Sequence, residues 1–517
     1  MSENLSNTNG TRKKREMSIR EHLIRRLNVL TERLEKSKAE QDTNVNWALQ
    51  MQLGIIAKQR GDLDTAAMRF RRVLAAIPQY SDTHPWPEAH WHLAQILMAQ
   101  KRHDEALHLM EELLTINPNI PEGFGQLGHI LYLLNRKNEA VDAYERAFAL
   151  STNSSPMAAQ SLAYAYLDLR DWERASNYLD IAVQLNPGSS ELKRCRAFHS
   201  LRMSDYDKGW PQFAEMLCEI DDPTNPQGVQ HLRRQLGTEK LWCGANLTGK
   251  RLLIWCEHGL GDCLMMARYV PRIHQYFGDC HITLLAPEAL CRLFAASNMG
   301  DVIDLHSYPN GPNFDYDAHC SIMSLPHIFH SVGYREIPST VPYVSIPQDA
   351  VKQWQHKLSE LKEIKIGLIW AGNPKNEKDA LRSLQLTDYA PLFEVSGLTF
   401  ISLQKGTPAS QISDAKLQIQ DLMADCLDML DTGALIQSLD LVISVDTSVA
   451  HLAGALAKPI WLLNRYEGEW RWGIDREDSV WYPTMRIFNQ HSPENWAIII
   501  KEMAIALEHH SLRVGEQ

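Results

Sequence analysis

The chain has 517 residues, 44% of them apolar and 22% charged, with a formal net charge of −11. That length suggests about three domains of roughly 100–200 residues, the composition is that of a globular protein, and the negative balance gives no general attraction to nucleic acid or anionic lipid. No apolar run approaches the roughly 18–20 residues that span a bilayer, and the basic N-terminus lacks the apolar core of a secretory signal. Nine cysteines without a Cys-x-x-Cys pair argue for reduced thiols in the cytoplasm, and against a zinc site or a disulfide framework.

Residues 1–44 read as a disordered basic tail containing Arg12-Lys13-Lys14-Arg15, followed by a helix with the apolar stripe Leu23, Leu27, Leu30 and Leu34. From residue 45 to 220 the chain repeats itself. Gly54, Ala94, Gly128, Ala163 and Ala197 are small residues at intervals of 40, 34, 35 and 34 positions. Each is followed at fixed spacing by a second small residue (Ala66, Ala106, Ala140, Ala175, Gly209) and then a bulky one (Phe70, Met110, Tyr144, Leu179, Phe213). Small residues let paired helices approach closely, the bulky residue fills the gap, and Pro78, Pro118 and Pro187 end three copies. The pattern resembles the tetratricopeptide repeat. Pro211 interrupts the second helix of the fifth copy, and this irregular copy caps the array. Such arrays bind a peptide or protein; the alternative is a scaffold for oligomerisation or a face packed on the C-terminal half.

A linker follows at 221–240. The texture then becomes α/β, with short apolar runs expected as strands at 251–256, 281–286, 301–305 and 318–323 in a first lobe, 241–347. The first run leads into Glu257-His258-Gly259-Leu260-Gly261-Asp262 and a helix over 263–276. The third glycine of the dinucleotide fingerprint is replaced by Leu264, which disfavours NAD. A connecting helix at 348–363 precedes a second lobe, 364–517, with strands at 365–370, 399–403, 417–420, 440–445 and 458–463 and a closing helix at 494–508. In that lobe Asp446-Thr447-Ser448 ends a buried strand and opens a helix. Three good N-cap residues there place free N–H groups and the positive dipole end at the carboxyl edge of the sheet, where diphosphates bind; the alternative is an ordinary capped helix.

Five segments carry a family likeness: Glu257–Asp262, Ala267-Arg268-Tyr269-Val270-Pro271, Trp370-Ala371-Gly372-Asn373-Pro374, Ser444-Val445-Asp446-Thr447 with His451, and Arg476-Glu477-Asp478-Ser479 with Trp481-Tyr482-Pro483. In this order they resemble bacterial tetratricopeptide-repeat proteins whose C-terminal half is related to the heptosyltransferases, glycosyltransferase family nine. The resemblance covers about 242–507. It implies an all-α repeat superhelix followed by a two-lobed α/β GT-B glycosyltransferase of two Rossmann-like domains. It also implies an inverting, metal-independent transfer from a nucleotide-sugar co-substrate to a protein or glycan hydroxyl, with no further cofactor. On that likeness Asp262 matches the proposed base, whose alternative reading is a helix cap; His258, where relatives carry glutamine, is a second catalytic candidate. Thr447, Ser448 and His451 would face the leaving diphosphate with Asp446 beside them, His451 having the alternative of packing against the strand layer. Arg382 would grip phosphate oxygens with its fork, and Asn373, Ser383 and Gln404 lie at the same edge. Trp470 would stack on sugar or pin its loop, and Arg471 would aid the diphosphate. A non-catalytic repeat scaffold with a degenerate transferase domain is the rival reading.

Overall fold

The structure, a computed structural model, describes residues 47–75, 87–219, 235–256, 258–307, 312–376, 379–493 and 495–515. The basic tail, the N-terminal helix, Pro78 and most of the linker lie outside these residues. Two compact units divide at Gly188 and Ser189.

The first unit is a series of helical hairpins: α1 (Trp47–Gln59) with α2 (Leu63–Ala75), α3 (Pro87–Ala99) with α4 (His103–Ile116), α5 (Pro121–Leu133) with α6 (Lys137–Leu150), and α7 (Pro156–Asp168) with α8 (Trp172–Leu185). The small and bulky positions meet as the spacing predicts. A Cβ on Gly128 would lie 2.6 Å from the Tyr144 ring, and one on Gly54 would lie 2.8 Å from Phe70. At each inter-helix turn one residue is left-handed: Gly61, Lys101, Asn135 and Arg170, with φ of 79°, 60°, 59° and 57°. The residue after it donates its N–H back into the helix, as Arg102 does to Leu97 O (2.8 Å) and Asp171 to Tyr166 O (2.9 Å). These bonds satisfy carbonyls that a helix end leaves open.

The fifth hairpin, α9 (Ser190–Arg202) with α10 (Tyr206–Glu219), belongs to the second unit. The repeat pattern places a boundary at 220; packing places it at 188. Ala197, Leu201, Trp210, Phe213 and Met216 join the same core as the α/β residues, so the apolar face of this pair packs with the sheets' helices. Pro211 does not break α10, which runs through it; the missing N–H removes one helical bond while the buried Trp210 and Phe213 hold both sides.

Two parallel sheets complete the unit. The first has the order β3-β2-β1-β4, from β1 (Arg251–Trp255), β2 (His281–Ala286), β3 (Asp301–Asp304) and β4 (Ala318–Ser321). Its helices include α11 (Leu260–Met266) after β1 and α12 (Glu288–Ala296) after β2. The single helix expected over 263–276 is instead α11, a 3₁₀ stretch (Ala267–Arg272) containing Pro271, and a final short turn. The second sheet has the order β10-β9-β8-β5-β6-β7, from β5 (Ile364–Ile369), β6 (Leu398–Ser402), β7 (Ile419–Asp421), β8 (Leu441–Val445), β9 (Ile460–Asn464) and β10 (Met485–Asn489). Here α13 (Met429–Gln437) precedes β8, α14 (Ser448–Ala455) joins β8 to β9, and α15 (Ala497–Gly515) closes the chain. The edge strand β10 has no counterpart among the expected strands, although its burial alternates from Met485 to Ile487. β8 and β9 are buried along their whole length, the mark of strands covered on both faces.

Candidate functional site

Chain order reverses beside β1 in the small sheet, between β1 and β4, and beside β5 in the large one, between β5 and β8. Crevices at such reversals, outside the carboxyl ends of the strands, are where open α/β sheets hold ligands. A cavity of about 840 Å³ opens there. Its wall draws on the turns after β1 (Gly259 to Asp262), β5 (Ala371 to Pro374), β6 (Leu403 to Pro408) and β8 (Asp446 to Val449).

Thr447 is the N-cap of α14, in an extended conformation, yet its hydroxyl pairs with Ser444 Oγ (3.1 Å) rather than capping the helix. The first N–H groups of α14 therefore point to the cavity edge with the positive end of the helix dipole. Arg382 lies beside them but spends part of its fork on protein: Nε donates to Asp379 Oδ1 (3.1 Å) and Nη1 to the Asp446 carbonyl (2.7 Å). Asn373 lines the cavity while its side chain accepts the Lys375 N–H (3.0 Å). Ser383 is a scaffold residue: its hydroxyl donates to Asp379 Oδ2 and accepts from Gly372 N, both at 2.9 Å. Gln404 is buried and latches two strand ends together, accepting from Trp370 and Ala371 N and donating to Ala371 and Lys405 O. Its amide has little left for a ligand.

Asp262, also in the cavity lining, sits at the third position of α11 and accepts the N-cap Gly259 N–H at 3.4 Å. It is also paired with Arg471, through Nε at 3.1 Å and through Nη2. Arg471 in turn bonds Glu469. Burial would push the Asp262 carboxyl up, but Arg471, His258 and His451 hold it below the usual carboxylate range. Asp262 thus serves as helix cap and as anion at once. His258 is exposed, with φ at 68°, a left-handed geometry that His adopts more readily than most side chains.

His451 is packed and also lines the cavity. It is 3% exposed, its Nδ1 lies 2.9 Å from the Tyr482 hydroxyl, and its ring sits 5.0 Å from that of Trp472. Burial, with Arg471 nearby, drives its pKa down to about 3. Gly261 makes this packing possible: a Cβ there would fall 2.7 Å from His451 Cδ2. Tyr482 continues into the buried Arg268, whose guanidinium donates to the carbonyls of Pro338 (3.0 Å) and Trp481 (2.6 Å) and to the Tyr343 hydroxyl (3.2 Å). This network and the Arg292 pairs with Asp428 (3.0 Å) and Asp431 (3.2 Å) bridge the elements of the two sheets.

Trp470 is 5% exposed and packed among protein rings, so it pins its loop and has little face to offer a sugar. Among the lining residues that the sequence reading missed are Arg465, Arg202 and Phe198. Arg465 follows β9, and its Nε is buried without a hydrogen-bond partner among the described residues. Its place after a buried strand was a usable signal; Arg202 and Phe198, on a repeat helix, gave none.

Residues 6–194 match the family model described as the tetratricopeptide repeat protein 21 C-terminal ARM domain. The N-terminal array is of the tetratricopeptide-repeat type. Protein FlbA of Caulobacter vibrioides is 26% identical over 454 residues, covering 80% of this chain and 72% of that protein. Among solved structures, MamA is 20% identical with a TM-score of 0.30, covering 34% of this chain and 91% of its own. A thermophilic tetratricopeptide-repeat protein of Thermus thermophilus is 21% identical with a TM-score of 0.28, covering 34% and 93%. Among the described residues, no helix is long and apolar enough to cross a membrane.

Proposed function

We propose that the C-terminal half is a GT-B glycosyltransferase, transferring sugar from a nucleotide-sugar to a hydroxyl by an inverting, metal-independent route. In this reading the repeat array recruits a protein acceptor or partner in the cytoplasm. The observation that carries it is the cavity at both chain reversals, lined by the start of α14, Arg382 and Asp262. The diphosphate would lie on the α14 N–H groups and Arg382. Leu403, Met423 and Met429, also in the wall, offer an apolar surface to a nucleobase. The acceptor hydroxyl would give its proton to the Asp262 carboxylate as its oxygen bonds to the anomeric carbon. The bond from that carbon to the diphosphate breaks on the opposite face, and the nucleoside diphosphate leaves with the electron pair. The resting ion pair with Arg471 makes Asp262 a weak base; an incoming diphosphate competes for Arg471 and returns basicity to the carboxylate.

One observation favours the rival, a repeat scaffold with a degenerate transferase domain. Asp262, His451, Trp470 and Gln404 are all engaged by protein groups. The two readings separate by screening UDP-, GDP-, ADP- and CMP-sugars for thermal stabilisation and slow hydrolysis by the full chain. Stabilisation by at least one, with hydrolysis about 100-fold slower in Asp262→Asn, supports the enzyme. No stabilisation by any defeats it, and equal hydrolysis in Asp262→Asn defeats the base.

A further inference from the structure

The loop that carries Arg471 is folded by two tight turns. Gly468 N donates to Arg465 O (2.9 Å), and Trp472 N and Gly473 N both donate to Glu469 O (3.0 and 3.1 Å). Trp470, in the second of these turns, lines the cavity edge and packs into rings of the fifth hairpin. Phe198 on α9 stacks on it at 6.0 Å between centroids with 9° between planes, and Trp210 on α10 meets it edge-on at 6.1 Å. Phe213 stands 6.4 Å away. On the near side of Trp470 the Arg471 guanidinium lies 4.5 Å from the ring centroid while bonding Asp262 and Glu469. Arg202, one helical turn beyond Phe198, touches both ends of the loop: its Cδ lies 4.0 Å from a Cβ built on Gly468, and its carbonyl 3.8 Å from one built on Gly473.

We propose that the fifth hairpin is the seat of the Arg471 loop, and that Phe198 and Trp210 are positioning residues for the cavity through Trp470. The inference rests on the proposed transferase reading for its functional consequence, but its structural content stands apart from it. Arg471 has four rotatable side-chain bonds, and besides its pair with Glu469 its reach to Asp262 depends on the preceding residue being wedged among aromatic rings. Repeat residues thereby set how firmly the cation is held against the candidate base, and how it meets an incoming anion.

The test is amide hydrogen exchange across 469–473 in the full chain, comparing wild type, Phe198→Ala, Phe198→Tyr and Trp210→Phe. The expected result is at least about tenfold faster exchange in Phe198→Ala, a smaller rise in Trp210→Phe, and wild-type behaviour in Phe198→Tyr, which keeps the ring. Unchanged exchange in Phe198→Ala overturns the proposal. So does a rise spread evenly over the second unit, and if Phe198→Ala does not fold, a Trp210→Phe no looser than Phe198→Tyr also overturns it. A second arm measures UDP, GDP, ADP and CMP binding and, where turnover is found, its pH profile. Phe198→Ala is expected to weaken the nucleotide at least about fivefold and to move the acid limb to higher pH, because a loosened Arg471 no longer depresses Asp262. If no nucleotide binds the wild type, the transferase reading fails and the exchange result alone decides this one. Binding and an acid limb unchanged in Phe198→Ala overturn the positioning role.

Discussion

Acid should unfold the second unit sooner than its carboxylates alone require, because of His451. An unfolded histidine titrates near 6.5, whereas this one is held down at about 3. Its folded pKa is depressed, so the stability it contributes is present above 6.5 and is lost as pH falls toward the folded value: the unfolded chain takes a proton that the folded chain refuses. Over the whole interval the difference is on the order of 5 kcal/mol, and between pH 7 and pH 5 it is about 2 kcal/mol. That upper window excludes the depressed Asp262 carboxyl, which affects stability only around and below the ordinary aspartate range, and the contributions of His327 and His330, also held down by burial, cancel when wild type and variant are compared. The assay is urea unfolding of the full chain at both pH values, followed by tryptophan fluorescence, for wild type and His451→Gln. The substitution is expected to lower stability at both, but to shrink the loss between pH 7 and pH 5 by about 2 kcal/mol. A loss that is the same in both proteins would refute the claim that His451 is buried neutral against Tyr482 and Trp472.

Three further outcomes follow from the packing. Gly261→Ala places a methyl group 2.7 Å from His451 Cδ2 and is expected to cost about 1–3 kcal/mol in the same unfolding experiment; a neutral substitution would show that α11 and α14 are not in close contact. Arg382→Lys removes the fork that grips Asp379 and the Asp446 carbonyl, and should weaken nucleotide binding about tenfold in calorimetry, with no change refuting its place at the phosphates. Tyr144→Ala empties the gap over Gly128 and should destabilise the first unit by about 3 kcal/mol, read as loss of amide protection in α5 and α6 but not in the sheets.

The repeat was legible because close helix packing needs small residues, and the period at Gly54, Ala94, Gly128, Ala163 and Ala197 survives unrelated surface changes. The left-handed turn position was partly hidden: Gly61 and Asn135 advertise it, but Lys101, Arg170 and Ser204 occupy it without a recognisable side chain. Parallel strands covered on both faces announce themselves as continuous apolar runs, which is why β8 and β9 were readable and the edge strand β10, with Arg486 exposed, was not. In the site, sequence placed the turns at the right edge of the sheet but could not apportion their side chains. Gln404 and His451 are engaged by neighbours far along the chain and Ser383 by Asp379 in its own turn, and only the folded arrangement shows how few donors remain. Arg202 and Phe198 escaped because the repeat register accounts for their helix without reference to the sheets.

The fifth hairpin also bears on how the protein is dissected. A cut at the end of the repeats, near residue 220, would strip Phe198, Trp210 and Phe213 from Trp470, and Trp210 from Trp481. The truncated piece would present a broad apolar aromatic face to water and would be prone to self-association. A fragment beginning at Ser189 carries its own lid over those rings, and the repeat unit that ends at Gly188 leaves none of them behind.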